Sequence, residues 1–109
     1  MDYKAIFAEA EAAAKSAVSV MKAKYAHLPY GEPAYCGFAW VEVPDGRSPA
    51  VREMKKCGIG SKHWKKGWMV WSPAQYGGQS MDIHEAGARA YAAVLRSHGI
   101  DAHACSRAD

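Results

Sequence analysis

From Tyr3 to Leu28, apolar side chains recur at steps of three and four: Tyr3, Phe7, Ala10, Ala14, Ala17, Met21, Tyr25 and Leu28. Lys4, Glu9, Glu11, Lys15 and Lys22 fall between them. That spacing keeps one stripe of a 3.6-residue helix apolar and predicts a long amphipathic helix over residues 1–28. Asp2 is placed to cap it and Pro29 to stop it. Alanines fill the middle of the stripe, which permits close approach by a neighbour but buries little area per residue. Packing on the chain's own sheet is the simpler use of such a face, because most helices draw their stability from burial within the chain. A homo-oligomer formed through this helix is the other use.

The pattern changes beyond the turn-rich run Pro29-Tyr30-Gly31-Glu32-Pro33. Residues Tyr35 to Val43 carry apolar side chains on both faces, as a central strand does. Pro44-Asp45-Gly46 turns the chain, and Ser48-Pro49 places a capping hydroxyl before a proline at the first helical position, opening a short helix that stops at Gly58. Trp68 to Trp71 reads as a second strand between Gly67 and Pro73. A third helix follows from about Asp82 to His98, with Asp82 and Glu85 at capping-box spacing and Gly99 as its stop. Ile100 to Cys105 is then the last strand. The order α-β-α-β-α-β predicts an α/β fold, or its α+β variant, with helices packed on a small three-stranded sheet. If the strands joined by helices are parallel, the crossovers are right-handed.

Composition narrows the class. The 109 residues suit a single domain over 1–109. Half the residues are apolar and 23% charged, which sets the chain apart from disordered sequences. The charges scattered over the first 27 residues exclude a secretory core segment or a membrane span there, so a cytoplasmic protein is expected. Cys36, Cys57 and Cys105 are odd in number and widely spaced, which fits reduced thiols better than a disulfide framework or a zinc site. The net charge of +3 is modest, but residues 52–66 hold Arg52, Lys55, Lys56, Lys62, Lys65 and Lys66 against Glu53 alone.

Candidate chemistry concentrates in two places. Trp64, Trp68 and Trp71 are interleaved with Lys62, Lys65 and Lys66, a combination in which aromatic rings stack on bases while cations hold phosphates. Against this, Trp68 and Trp71 lie on opposite faces of a strand and can both be core, leaving Trp64 and the lysines outside. The second place is Tyr76-Gly77-Gly78-Gln79-Ser80, a loop leading into the third helix, where Tyr76 can stack, Gln79 and Ser80 can hydrogen-bond, and a helix N-terminus favours an anion. In a parallel sheet Arg107 would emerge at the same end as Tyr76 and add an anion contact.

Other motifs fall short of a site. Gly58-Ile59-Gly60-Ser61-Lys62 lacks the helix that must follow a phosphate-binding loop, so it reads as a helix stop and connector. His84-Glu85 lacks the second histidine of a zinc-protease helix, since residue 88 is alanine. His98, His103 and Cys105 offer no fourth metal ligand at a recognisable spacing. No metal and no cofactor is expected, and without a triad or paired-carboxylate motif the reading leans away from an enzyme.

Several segments together resemble a group of small bacteriophage and prophage proteins: Cys36-Gly37-Phe38-Ala39-Trp40-Val41, the Gly67 to Trp71 strand, Tyr76 with Gln79-Ser80, Ala88-Arg89-Ala90-Tyr91-Ala92, His98-Gly99-Ile100-Asp101-Ala102 and the closing Ser106-Arg107-Ala108-Asp109. They span about residues 36–109 and leave the first helix outside. The group brings no activity to carry over. The resemblance implies a non-structural accessory protein acting in an infected bacterium, a setting in which such proteins bind host proteins or sequester nucleotide signals of host defence.

The leading expectation is a non-enzymatic binding protein that holds an anionic, nucleotide-like ligand between Tyr76, Gln79, Ser80 and Arg107, with Lys62 and Trp64 nearby. Nucleic-acid binding by the basic tryptophan segment is the alternative. Inhibition of a host protein by direct contact is a third.

Overall fold

The structure, a computed structural model, describes residues 1–27 and 36–108. It contains α1 (Tyr3–Lys24), β1 (Gly37–Val43), α2 (Pro49–Cys57), β2 (Ser61–Lys62), β3 (Trp68–Trp71), α3 (Met81–Ser97) and β4 (His103–Ala108). The content is mixed α/β as expected, with four strands where three were predicted.

Capping explains the helix boundaries. Asp2 accepts from the Ala5 N–H at 3.1 Å to start α1, and Ser48 accepts from the Val51 N–H at 3.3 Å to start α2. Helix α1 ends at Lys24, short of residue 28. The predicted stop at Pro29, the connector after it and the strand start at Tyr35 lie outside the described residues. In α3 the cap is Ser80, whose hydroxyl accepts from the Ile83 N–H, two residues earlier than the predicted Asp82–Glu85 box.

The last strand is displaced from its predicted position over Ile100–Cys105. Gly99 adopts φ +81°, and the N–H groups of Gly99 and Ile100 turn back to the carbonyls of Arg96 and Leu95 at 2.9 and 3.0 Å, closing α3 in the manner of a Schellman motif. The Arg96 guanidinium then donates to the Ala102 carbonyl at 2.8 Å. Residues 99–102 are thus spent on the helix end, and the strand runs from His103 through Ala108. Ser106, Arg107 and Ala108 therefore belong to the sheet and not to a tail after it.

The sheet order is β2-β3-β1-β4, and every pairing is antiparallel. The two-residue β2 accounts for the difference from a parallel arrangement: it forms a hairpin with β3, so the chain reverses once more after α2 and enters β3 running opposite to β1. Strands β3 and β4 flank β1 and share a direction, with α3 crossing between them.

Register assigns the faces, because residues directly opposite one another in antiparallel strands share a face. Val41 lies between Val70 and Ala104, while Trp40 lies between Trp71 and Cys105. The first set, with Ala39 and Val43, meets Ile6, Phe7, Ala10 and Ala14 of α1, Val51 and Met54 of α2, and Ala88, Tyr91, Ala92 and Leu95 of α3 in one hydrophobic core. The seam of α1 is thereby occupied within the chain. The second set, comprising Phe38, Trp40, Glu42, Met69, Trp71, His103, Cys105 and Arg107, lies on the face that the helices leave open. Among the described residues no helix is long and apolar enough to cross a membrane.

Candidate functional site

The open face carries a row of aromatic rings. Phe38 and Trp71 have centroids 5.9 Å apart, Trp71 and Trp40 stack at 5.1 Å, Trp40 meets Trp64 edge-on at 5.9 Å, and Trp64 stacks on His63 at 4.0 Å. Trp40, on the central strand, is the floor, only 7% exposed, whereas Trp64 and Trp71 are 62% and 45% exposed. Those two indoles, Trp40, Met69 and Arg107 line a hollow of about 350 Å³. Four elements build it: β1 supplies Trp40, β3 supplies Met69 and Trp71, β4 supplies Arg107, and the β2–β3 hairpin carries Trp64. Trp68 has the opposite parity; it packs half-buried on the core side, donating its indole N–H to the Ile59 carbonyl at 2.9 Å beneath the Lys55 ammonium.

A polar cluster underlies the row. Glu42 Oε1 accepts from the Trp40 indole N–H at 3.3 Å and stands 2.6 Å from His63 Nε2. Burial pushes the Glu42 carboxyl up, but hydrogen bonds from Cys105, Trp40 and His63, joined by the imidazole's charge when that ring is protonated, outweigh it and leave the group below the usual carboxylate range. The Cys105 thiol moves the other way: burial, then donation to Glu42 and repulsion by its charge, push it up to about 11.

Of the six residues singled out from the sequence, Trp64 and Arg107 meet at the hollow. Ser80 is 2% exposed, with its hydroxyl engaged in capping α3. Tyr76 packs edge-on against His84 at 4.7 Å, and His84 Nε2 bonds the Gly78 carbonyl at 2.8 Å. Gln79 accepts from the Cys36 thiol at 3.6 Å, and its carbonyl accepts from the Gly37 N–H at 3.0 Å. Arg107 pairs with Phe38 on the other side of β1, so Gln79 and Arg107 share a sheet end about two strand spacings, roughly 10 Å, apart. Lys62 is exposed on β2, opposite Trp68 and hence of the parity facing away from the hollow.

Two lining residues, Trp40 and Met69, were not singled out as ligand contacts, and Trp71 was named only within the tryptophan–lysine segment, with a place in the core as its alternative. The signal was the alternation Phe38, Trp40, Glu42 against Ala39, Val41, Val43, in which every large ring falls on one side. Among the described residues no group of three or more His, Cys, Asp or Glu side chains could hold a metal ion.

Fold and hollow together define a mixed α/β protein with helices on one sheet face and an aromatic, cation-edged site on the other. No family model, curated protein or solved structure matches the chain.

Proposed function

We propose that this protein is a non-enzymatic binding protein for an anionic, nucleotide-like ligand, held at the open sheet face and not at the loop before α3. The observation that carries the reading is the hollow itself, lined by Trp40, Trp64, Trp71 and Met69 together with Arg107. Its size is at the lower end of the range for small-molecule sites. A planar base gains about 1–3 kcal/mol by stacking on an aromatic ring, and a guanidinium matches the paired oxygens of a phosphate. If the chain shares the setting its resemblance implies, sequestering a host signalling nucleotide in the bacterial cytoplasm is the use such a site would serve.

Calorimetry against adenosine and guanosine monophosphates and their cyclic forms tests the reading. Trp71→Ala and Arg107→Ala are each expected to weaken binding by roughly tenfold or more, the scale of one lost stacking or charged contact, while Tyr76→Ala leaves it unchanged. Absence of binding by the whole panel at about millimolar ligand, a Kd worth only some 4 kcal/mol, would overturn it.

A second reading is favoured by the continuation of the ring row beyond the hollow to Phe38, with Lys65 and Lys66 following Trp64 in the hairpin. Single-stranded nucleic acid could lay successive bases along it. Affinity for an oligonucleotide that falls steeply with salt, by release of counterions, separates this reading from the first.

A further inference from the structure

His63 is an ionisable side chain only 8% exposed, at the mouth of a hairpin whose first strand is two residues long. Both ring nitrogens are engaged. Nδ1 faces the backbone N–H groups of Lys65 and Lys66, at 3.0 and 3.4 Å. A backbone N–H can only donate, so Nδ1 must present a lone pair, and the ring proton belongs on Nε2, aimed at Glu42 Oε1. The neutral Nε2–H form satisfies every one of these contacts. The imidazolium does not, because its second proton would sit on Nδ1 against two donors.

Trp64 stands inside the loop that those bonds organise. The loop is closed at its base by the His63 N–H donating to the Gly67 carbonyl at 3.1 Å, and the Trp64 indole rests on the His63 ring. We propose that Glu42 and His63 are positioning residues that hold Trp64 as one wall of the hollow, and that protonation of His63 releases this wall. The proposal rests on the preceding reading only in taking the hollow as the binding site.

The groups around the imidazole pull in opposite directions. Glu42 of β1 favours the imidazolium. The Cys105 thiol of β4, which donates to Glu42, competes for that carboxylate, as does the Trp40 indole. His103 of β4, opposite Glu42 in register, is held at 2.9 Å by Asp101. Lys62, Lys65 and Lys66 of the hairpin add positive charge, and the two turn N–H groups oppose a proton on Nδ1. On protonation the ring therefore stays with Glu42 while the turn lets go, and Trp64 goes with the turn. Binding that depends on Trp64 belongs to the neutral form and weakens as His63 takes up its second ring proton.

Long-range proton–nitrogen NMR of the full chain, titrated from about pH 8 to about pH 5, reads this without a ligand. The expected result is an unprotonated Nδ1 at the upper pH, with the Lys65 amide and the Trp64 indole N–H shifting at the same midpoint as the His63 ring. A protonated Nδ1 at about pH 8, or Trp64 and Lys65 signals indifferent to the His63 titration, would overturn the proposal. Two variants separate positioning from mere packing. In His63→Asn the side-chain oxygen can take the place of Nδ1, as in an Asx turn, and does not titrate; Trp64 should keep its neutral-form signal throughout. In His63→Ala the acid-form signal should already be present at about pH 8.

Cyclic AMP, whose phosphodiester keeps its charge over this range, serves as the binding probe. Its affinity should fall on the order of fivefold or more with acid for the natural protein, the loss of about 1 kcal/mol of stacking, and by less than about twofold for His63→Asn. Equal acid sensitivity in both proteins counts against the proposal. Failure of cyclic AMP to bind either protein strikes the proposed ligand class, and the NMR titration then decides the positioning by itself.

Discussion

Cys105 lies opposite Trp40 on the open face, with its thiol donating to the Glu42 carboxylate. Thiolates and not thiols are the nucleophiles, so a thiol pushed from 9.0 up to about 11 by burial and by Glu42 is slow to react at neutral pH. Alkylation by iodoacetamide near pH 7.5 should therefore modify Cys105 more slowly than the exposed Cys57, as followed by peptide mapping. Glu42→Gln removes the adjacent charge and should speed the Cys105 reaction. Equal rates at the two cysteines in the natural protein would contradict the network. Little of this was visible in the sequence: Trp64 and Arg107 stood out as a ring and a cation in basic or terminal segments. Trp40 and Glu42 did not, because a strand with large side chains on both faces reads as buried on both. Only the placement of all three helices on one side leaves the other face uncovered by helix among the described residues.

The β2–β3 hairpin decides whether that face becomes a site. Gly67 closes it with φ +87°, and a Cβ there would fall 2.6 Å from the Val43 carbonyl and 2.7 Å from that of Pro44. Gly67→Ala therefore meets both a disfavoured backbone region and a backbone clash, with an expected cost of about 1–3 kcal/mol, and it should weaken nucleotide binding as well by disturbing the Trp64 loop. Ser80→Ala provides the contrast. Losing the α3 cap should cost about 1 kcal/mol and lower Tm by several degrees, yet leave the hollow and its affinity intact. Thermal melts paired with calorimetry check both, and a Gly67→Ala protein that binds normally would remove the hairpin from the site.

The legibility of these elements follows the same physics. Helices α1 and α2 began where their caps were read, since Asp2 and Ser48-Pro49 act locally. Strand β2 is too short to show a period, and missing it inverted the direction expected for β3. Arg107 and Tyr76 then had to be placed by an arrangement that the antiparallel sheet replaces. Strand β4 was misplaced because a helix ending of the Schellman type consumes residues that look like strand by composition alone.

At the scale of the whole molecule, stability should be bounded in pH by groups on both sides of the sheet. Glu42 on the open face has a folded pKa below its ordinary 4.5. Its contribution is present above that value and is lost as pH falls through the lower folded one, because the unfolded chain takes up the proton first. Tyr91, in the core between α1 and α3, is pushed up to about 12 by burial and by the charge of Glu11, and Cys105 up to about 11. Raised acids have the opposite sign: their contributions are complete below the unfolded values of 9.0 for the thiol and 10.0 for the phenol, and vanish as pH climbs through the folded ones. Urea denaturation followed by tryptophan emission should therefore show a broad plateau that falls away below about pH 4.5 and above about pH 9. The two limbs have different owners, which is what makes the expectation specific. Glu42→Gln should flatten the acid limb and leave the tyrosine part of the alkaline limb. Tyr91→Phe should flatten the alkaline limb, with the acid one intact. If Glu42→Gln left the acid limb as steep as before, the open-face carboxylate would not be the hydrogen-bonded anion on which the positioning of His63 depends.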